Sequence, residues 1–125
     1  MDLTEEDCEI RQEAERQKRK GNIHFNRQEY DAALMCYTDA IALDGTNHVF
    51  FANRSACHAG KKDWCQAAAD ARSSVQLCDS YVKGHYRLAQ ALLELGKLEE
   101  ASAALHNGLC IEPGEFEFEW GWERK

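Results

Sequence analysis

The sequence repeats a pattern of residue types every 34 positions, three times over, and that period narrows the fold more than any other property of the chain. In rows that start at Ala14, His48 and Val82, one column reads Ala33, Ala67, Ala101. A second column holds Gly21, Ser55, Ala89 and a third Ala40, Ser74, Gly108, small residues throughout. Large apolar columns run beside them: Tyr30, Trp64, Leu98; Ile41, Val75, Leu109; Leu43, Leu77, Ile111. A period of this length marks stacked helix-turn-helix units, which bury a core only by packing on one another. Small columns belong where two helices cross closely, and bulky columns should fill the gaps between rows.

Capping signals set the expected boundaries. Thr4 with Asp7 reads as a capping box that opens a long first helix, from about Glu5 to Asn26. Its partner, Tyr30 to Leu43, stops at Asp44-Gly45. Thr46 or Asn47 caps the third helix, which ends near Gly60, and Asp63 is expected to cap the fourth, Trp64 to Leu77. The third pair runs from about Tyr81 to Leu95, turns at Gly96, and continues from Leu98 to Ile111 before Pro113 ends it. Residues 1–13 therefore extend the first helix, 14–113 form the repeat domain, and 114–125 are a separate tail. In that tail, Glu115-Phe116-Glu117-Phe118-Glu119-Trp120-Gly121-Trp122 alternates acidic or small residues with aromatics at a period of two. Those aromatics either fold back over the last helix, which is the favoured reading, or drive self-association.

Composition excludes several function classes. The formal net charge of −7 argues against general nucleic-acid binding, and the basic run Arg16 to Lys20 lies inside a helical pattern of mixed charge. No apolar stretch approaches a membrane span, and the start of the chain is acidic rather than signal-like. The six cysteines include no C-x-x-C pair, and His106 with Cys110 offers only two ligands at i, i+4. Reduced, structural thiols are expected, which points to the cytosol, with the nucleus as the alternative. Phosphate loops, nucleophile elbows and metal clusters are missing from the sequence, and His24 and His58 occupy equivalent repeat positions suited to packing. Neither catalysis nor a cofactor or metal is expected.

The first helix of each pair should line a concave face. Places 2, 5, 6 and 9 of each row share one helical stripe. They are Glu15, Lys18, Arg19 and Asn22; Val49, Ala52, Asn53 and Ala56; Lys83, Tyr86, Arg87 and Gln90. Four cations against one anion give +3 on this face, inside a protein of −7. The reversal of sign predicts an anionic guest. Lys18 and Asn22 sit at i, i+4, as do Lys83 and Arg87, with Asn53 on the helix between them. Lysine supplies a mobile cation, asparagine a neutral donor and arginine a planar fork for carboxylates. Such a set suits two carboxylates held close together, as at a chain end whose last residue is Asp.

With the small and large columns, Lys20-Gly21-Asn22, Asn53-Arg54-Ser55-Ala56 and Pro113, the chain resembles a three-repeat tetratricopeptide (TPR) domain from about Ala14 to Gly114. The resemblance implies an all-α, right-handed solenoid with an extended first helix and a short aromatic tail. Gly45 and Asp79 stand where a closing proline is common, a change that turns tolerate. The match is nearest to the Hsp-organising-protein type, whose modules bind the C-terminal Glu-Glu-Val-Asp tail of the seventy- and ninety-kilodalton heat-shock proteins. By that resemblance Lys18, Asn22 and Asn53 hold the terminal carboxylate and last backbone atoms. Lys83 and Arg87 hold the Asp side chain and nearby carbonyls, while Phe25 and Ala56 contact the valine. Gly60 replaces a groove lysine common among relatives, which loosens any assignment for the upstream glutamates. A TPR scaffold that binds another partner through its convex face or tail is the competing expectation.

Overall fold

The computed structural model describes residues 5–111, and within them six helices follow one another. They are α1 (Glu5–Asn26), α2 (Tyr30–Leu43), α3 (His48–Gly60), α4 (Trp64–Leu77), α5 (Val82–Glu94) and α6 (Leu98–Ile111). The described residues contain no strand. Consecutive helices pack as pairs, α1 on α2, α3 on α4 and α5 on α6. Further packing of α2 on α3 and of α4 on α5 joins the pairs in a row. The boundaries follow the periodicity closely, with α5 one residue shorter at each end than expected. Thr4, Pro113 and the aromatic tail lie outside the described residues, and so do the capping box and the fold-back assigned to them.

The turn inside each pair is built the same way three times. Glu29, Asp63 and Lys97 donate their N–H to the carbonyls of His24, His58 and Leu92 at 2.8–2.9 Å. Gln28, Lys62 and Gly96 donate to Phe25, Ala59 and Leu93 at 2.9–3.0 Å. This pair of bonds is a Schellman closure, which needs a left-handed residue just past the helix. Gln28 (φ 62°), Lys62 (φ 63°) and Gly96 (φ 81°) occupy that place, one column of the 34-residue period. Glycine fills it in the third turn only.

Two capping expectations resolve differently. Asn47 caps α3, its side-chain oxygen accepting from Val49 N at 2.9 Å. Thr46 is drawn into the preceding turn instead, donating N–H and hydroxyl to Asp44 Oδ1 at 3.2 and 2.7 Å. Asp63, expected to cap α4, makes no side-chain cap bond. Its backbone serves the turn: the N–H closes onto His58 and the carbonyl accepts from Ala67 N at 3.0 Å.

The small columns are the close crossings. Ala33, Ala67 and Ala101 are 0%, 1% and 2% exposed, and Gly21, Ser55, Ala89, Ala40, Ser74 and Gly108 are all buried. A Cβ added at Gly21 would lie 2.6 and 2.8 Å from Tyr37 ring carbons, so the glycine creates the seat for that ring. The bulky columns divide: Ile41 and Val75 pack against core clusters, while four other members stay open. Leu98 is 65% exposed, and Leu43, Leu77 and Ile111 are 38%, 44% and 36% exposed. They are terminal residues of their helices, Leu98 the first of α6 and the others the last of α2, α4 and α6. Trp64, at the equivalent place in the middle pair, packs against the cluster built from Ala67, Ala71, Leu88 and Leu92.

Candidate functional site

The seven residues singled out in the sequence all fall on the first helices of the pairs. Lys18, Asn22 and Phe25 are on α1, Asn53 and Ala56 on α3, and Lys83 and Arg87 on α5. Helices α3 and α5 also touch each other directly, so the first helices of those two units lie side by side. Lys18 is one quarter exposed and pairs with Glu15 at 3.1 Å along the same helix. Lys83 is exposed, while Asn53 and Arg87 are half-buried. Ala56 is only 8% exposed.

A cluster not expected from the sequence lies beneath these residues. Tyr37 of α2 and Cys57 of α3, 1% and 0% exposed, pack together with Ala33, and Phe25 lies against them. Phe25 also meets Tyr30 edge-on, with ring centroids 5.6 Å apart. The Tyr37 hydroxyl donates to Asn22 Oδ1 at 2.5 Å. Burial keeps that phenol protonated far above its ordinary range, with the neighbouring thiols adding to the effect. Burial likewise pushes the Cys57 thiol up to about 12, while the positive charge of Arg87 pulls the other way. Cys57 is therefore a neutral packing group rather than a nucleophile at physiological pH. Tyr37 thus joins Asn22 on α1 to the packed Cys57 on α3. The signal for this cluster was Gly21, whose missing side chain is what admits the Tyr37 ring.

Parts of the striped face are not groove surface. Ala52 is 4% exposed and Tyr86 2%, so both belong to the packed interior. Helices α3 and α5 have a helix on either side, and less of their circumference remains open. All the buried members are neutral, so the excess of positive charge on the face stands. Gly60 lies under the Tyr30 ring, where an added Cβ would come within 2.5 Å of ring carbon Cζ. His24 and His58 do more than pack: His24 Nδ1 lies 2.8 Å from Glu29 Oε1, and His58 Nε2 lies 3.4 Å from Asp70.

Stacked helical hairpins whose first helices carry cations and amides define a class of protein-binding scaffold. The tetratricopeptide repeat family model matches residues 19–47 and 82–108. The chain is 38% identical over 114 residues to the E3 ubiquitin-protein ligase CHIP of Arabidopsis thaliana, covering 88% of this chain and 41% of that protein. It is 40% identical over 100 residues to the Hsp70-Hsp90 organizing protein of Triticum aestivum, covering 80% of this chain and 17% of that protein. Among solved structures, the first TPR of Spaghetti (RPAP3) bound to HSP90 peptide SRMEEVD aligns with TM-score 0.83 and 35% identity. That alignment spans 90% of this chain and 89% of the other. The chain belongs to the tetratricopeptide repeat family. It spans less than half the length of both full-length relatives named above.

Proposed function

We propose that residues 14–113 form a right-handed solenoid of three TPR units that binds the acidic C-terminal tails of the seventy- and ninety-kilodalton heat-shock proteins. The count of three is supported by the middle pair, whose Ser55, Ala67 and Ser74 are buried like their counterparts in the outer pairs. The observation that carries the binding role is the likeness to a TPR domain holding a peptide that ends in Asp. A C-terminal Asp presents two carboxylates, and the first helices of this chain supply two lysines, an arginine and two asparagines to meet them. In this reading Lys18, Asn22 and Asn53 take the terminal carboxylate and Lys83 and Arg87 take the Asp side chain. Phe25 and Ala56 form the apolar floor beside the preceding valine.

The module acts as a cochaperone adaptor in the cytosol, with no chemistry of its own and no cofactor. Charge-assisted hydrogen bonds contribute about 1.5–3 kcal/mol each and are offset by the ordering of a flexible tail, so an affinity near micromolar is expected. Calorimetric titration with the peptide Ser-Arg-Met-Glu-Glu-Val-Asp tests the assignment. The free-acid peptide should bind at least about tenfold more tightly than the same peptide amidated at its C-terminus. Equal affinity for the two forms would refute the assignment.

A further inference from the structure

We infer that Tyr37 is a positioning residue for ligand binding, its hydroxyl fixing which end of the Asn22 side-chain amide faces an incoming carboxylate. This rests on the peptide-binding reading above. The two ends of an asparagine amide are nearly the same size but opposite in character, one accepting and one donating. A half-turn about the last side-chain bond exchanges them. An anionic guest is attracted by Nδ2–H and repelled by Oδ1, so an unrestrained Asn22 would spend part of its time presenting the wrong end.

Tyr37 removes that freedom. Its ring is 1% exposed and seated against Gly21, one residue before Asn22, so the hydroxyl has a fixed position. A buried O–H without a partner is unfavourable, and donation to Asn22 Oδ1 at 2.5 Å satisfies it. With Oδ1 turned to the phenol, the two Nδ2 protons are directed away from it. The phenol stays protonated because burial disfavours its charged form, so the donor is present throughout the physiological range. Gly21, Tyr37 and Asn22 therefore act as a unit: a missing side chain admits a ring, and the ring orients an amide. Tyr37 meets no ligand in this arrangement; it acts through Asn22.

The test is a double-mutant cycle on the whole chain, with Tyr37→Phe, Asn22→Ala and the double variant. Each is titrated with Ser-Arg-Met-Glu-Glu-Val-Asp as the free acid and as the C-terminal amide. Tyr37→Phe should weaken the free acid roughly fivefold, leave the amide unchanged, and add nothing in the Asn22→Ala background. No loss on the free acid, an equal loss on both peptides, or losses that add with Asn22→Ala would each overturn the role of Tyr37. A wild-type protein that fails to distinguish acid from amide would instead overturn the binding reading itself. The Asn22 side-chain NH2 resonances of the wild-type protein provide a readout that does not depend on the variants folding. They should shift on addition of the free acid, and their failure to move would sink the inference.

Discussion

Arg54 of α3 grips Asp70 of α4 with both prongs of its guanidinium, Nε to Oδ2 at 2.8 Å and Nη2 to Oδ1 at 2.9 Å. Asp70 is 5% exposed, and Arg54 also reaches Thr38 Oγ1 of α2 at 3.3 Å. One side chain thereby joins the second helix of the first pair to both helices of the next. Asp70→Ala leaves a half-buried guanidinium without its partner, and urea denaturation should register a loss of about 2–4 kcal/mol. Arg54→Lys, which keeps the charge but loses the fork, should cost less, about 1 kcal/mol. Wild-type midpoints in both variants would show that the pair contributes nothing to the stack.

His58 makes stability depend on pH. Burial pulls its pKa below the ordinary 6.5, with Asp70 and Asp63 opposing the shift. A histidine depressed in the folded state is protonated more readily in the unfolded chain. Its contribution is complete above about pH 6.5 and is lost as pH falls toward the lower folded value. Denaturation midpoints should decline as pH falls below about 6.5, and His58→Gln should flatten that slope. A slope unchanged in the variant would assign it to other groups.

The repeated turns predict a gain. Gln28 and Lys62 hold the left-handed conformation that Gly96 adopts without a Cβ. Gln28→Gly and Lys62→Gly should each raise stability by about 0.5–1 kcal/mol, the relief of Cβ strain exceeding the added freedom of the unfolded chain. Gly96→Ala, at φ +81° with no atom within 4 Å of an added Cβ, should lose a comparable amount. Thermal melts of the three variants are the check. A fall in both glycine substitutions would mean that the side chains of Gln28 and Lys62 contribute more than the strain costs.

Binding should fall sharply when the α5 cations are removed. Lys83→Ala or Arg87→Ala is expected to cost on the order of 2–4 kcal/mol against the free-acid peptide, because a carboxylate then enters the groove without its counter-charge. Arg87→Lys should recover only part of the loss, since an ammonium cannot supply two parallel donors. Calorimetry that returns wild-type affinity for both alanine variants would move the ligand away from α5.

Much of this architecture was legible in the residue order. Ala33, Ala67 and Ala101 sit one period apart, and all three prove to be closed crossings. Helix ends at Asn26, Leu43, Gly60 and Leu77 lie where they were expected, those at Leu43 and Gly60 marked by Asp44-Gly45 and by Gly60 itself. The clamp candidates could also be named, because i, i+4 spacing on a helix is enough to put Lys18 with Asn22 and Lys83 with Arg87. Of the turn column only Gly96 stood out, since glutamine and lysine carry no turn signal of their own, and Gln28 and Lys62 joined it only through their backbone angles.

Helical periodicity and burial are local properties, set by spacing of a few residues along one helix, and a linear pattern records them well. Which side chains meet across helices is set by crossing angles and by what neighbouring residues leave empty. Asn22 finds Tyr37 because Gly21 vacates the space for a ring, and Arg54 finds Asp70, 16 positions away, because α3 and α4 pack as a pair. Leu98 looked like core by its column and is open, because its burial depends on what lies beside it rather than on its own period. Partnership of that kind is a three-dimensional property, and it comes into being only when the helices are stacked.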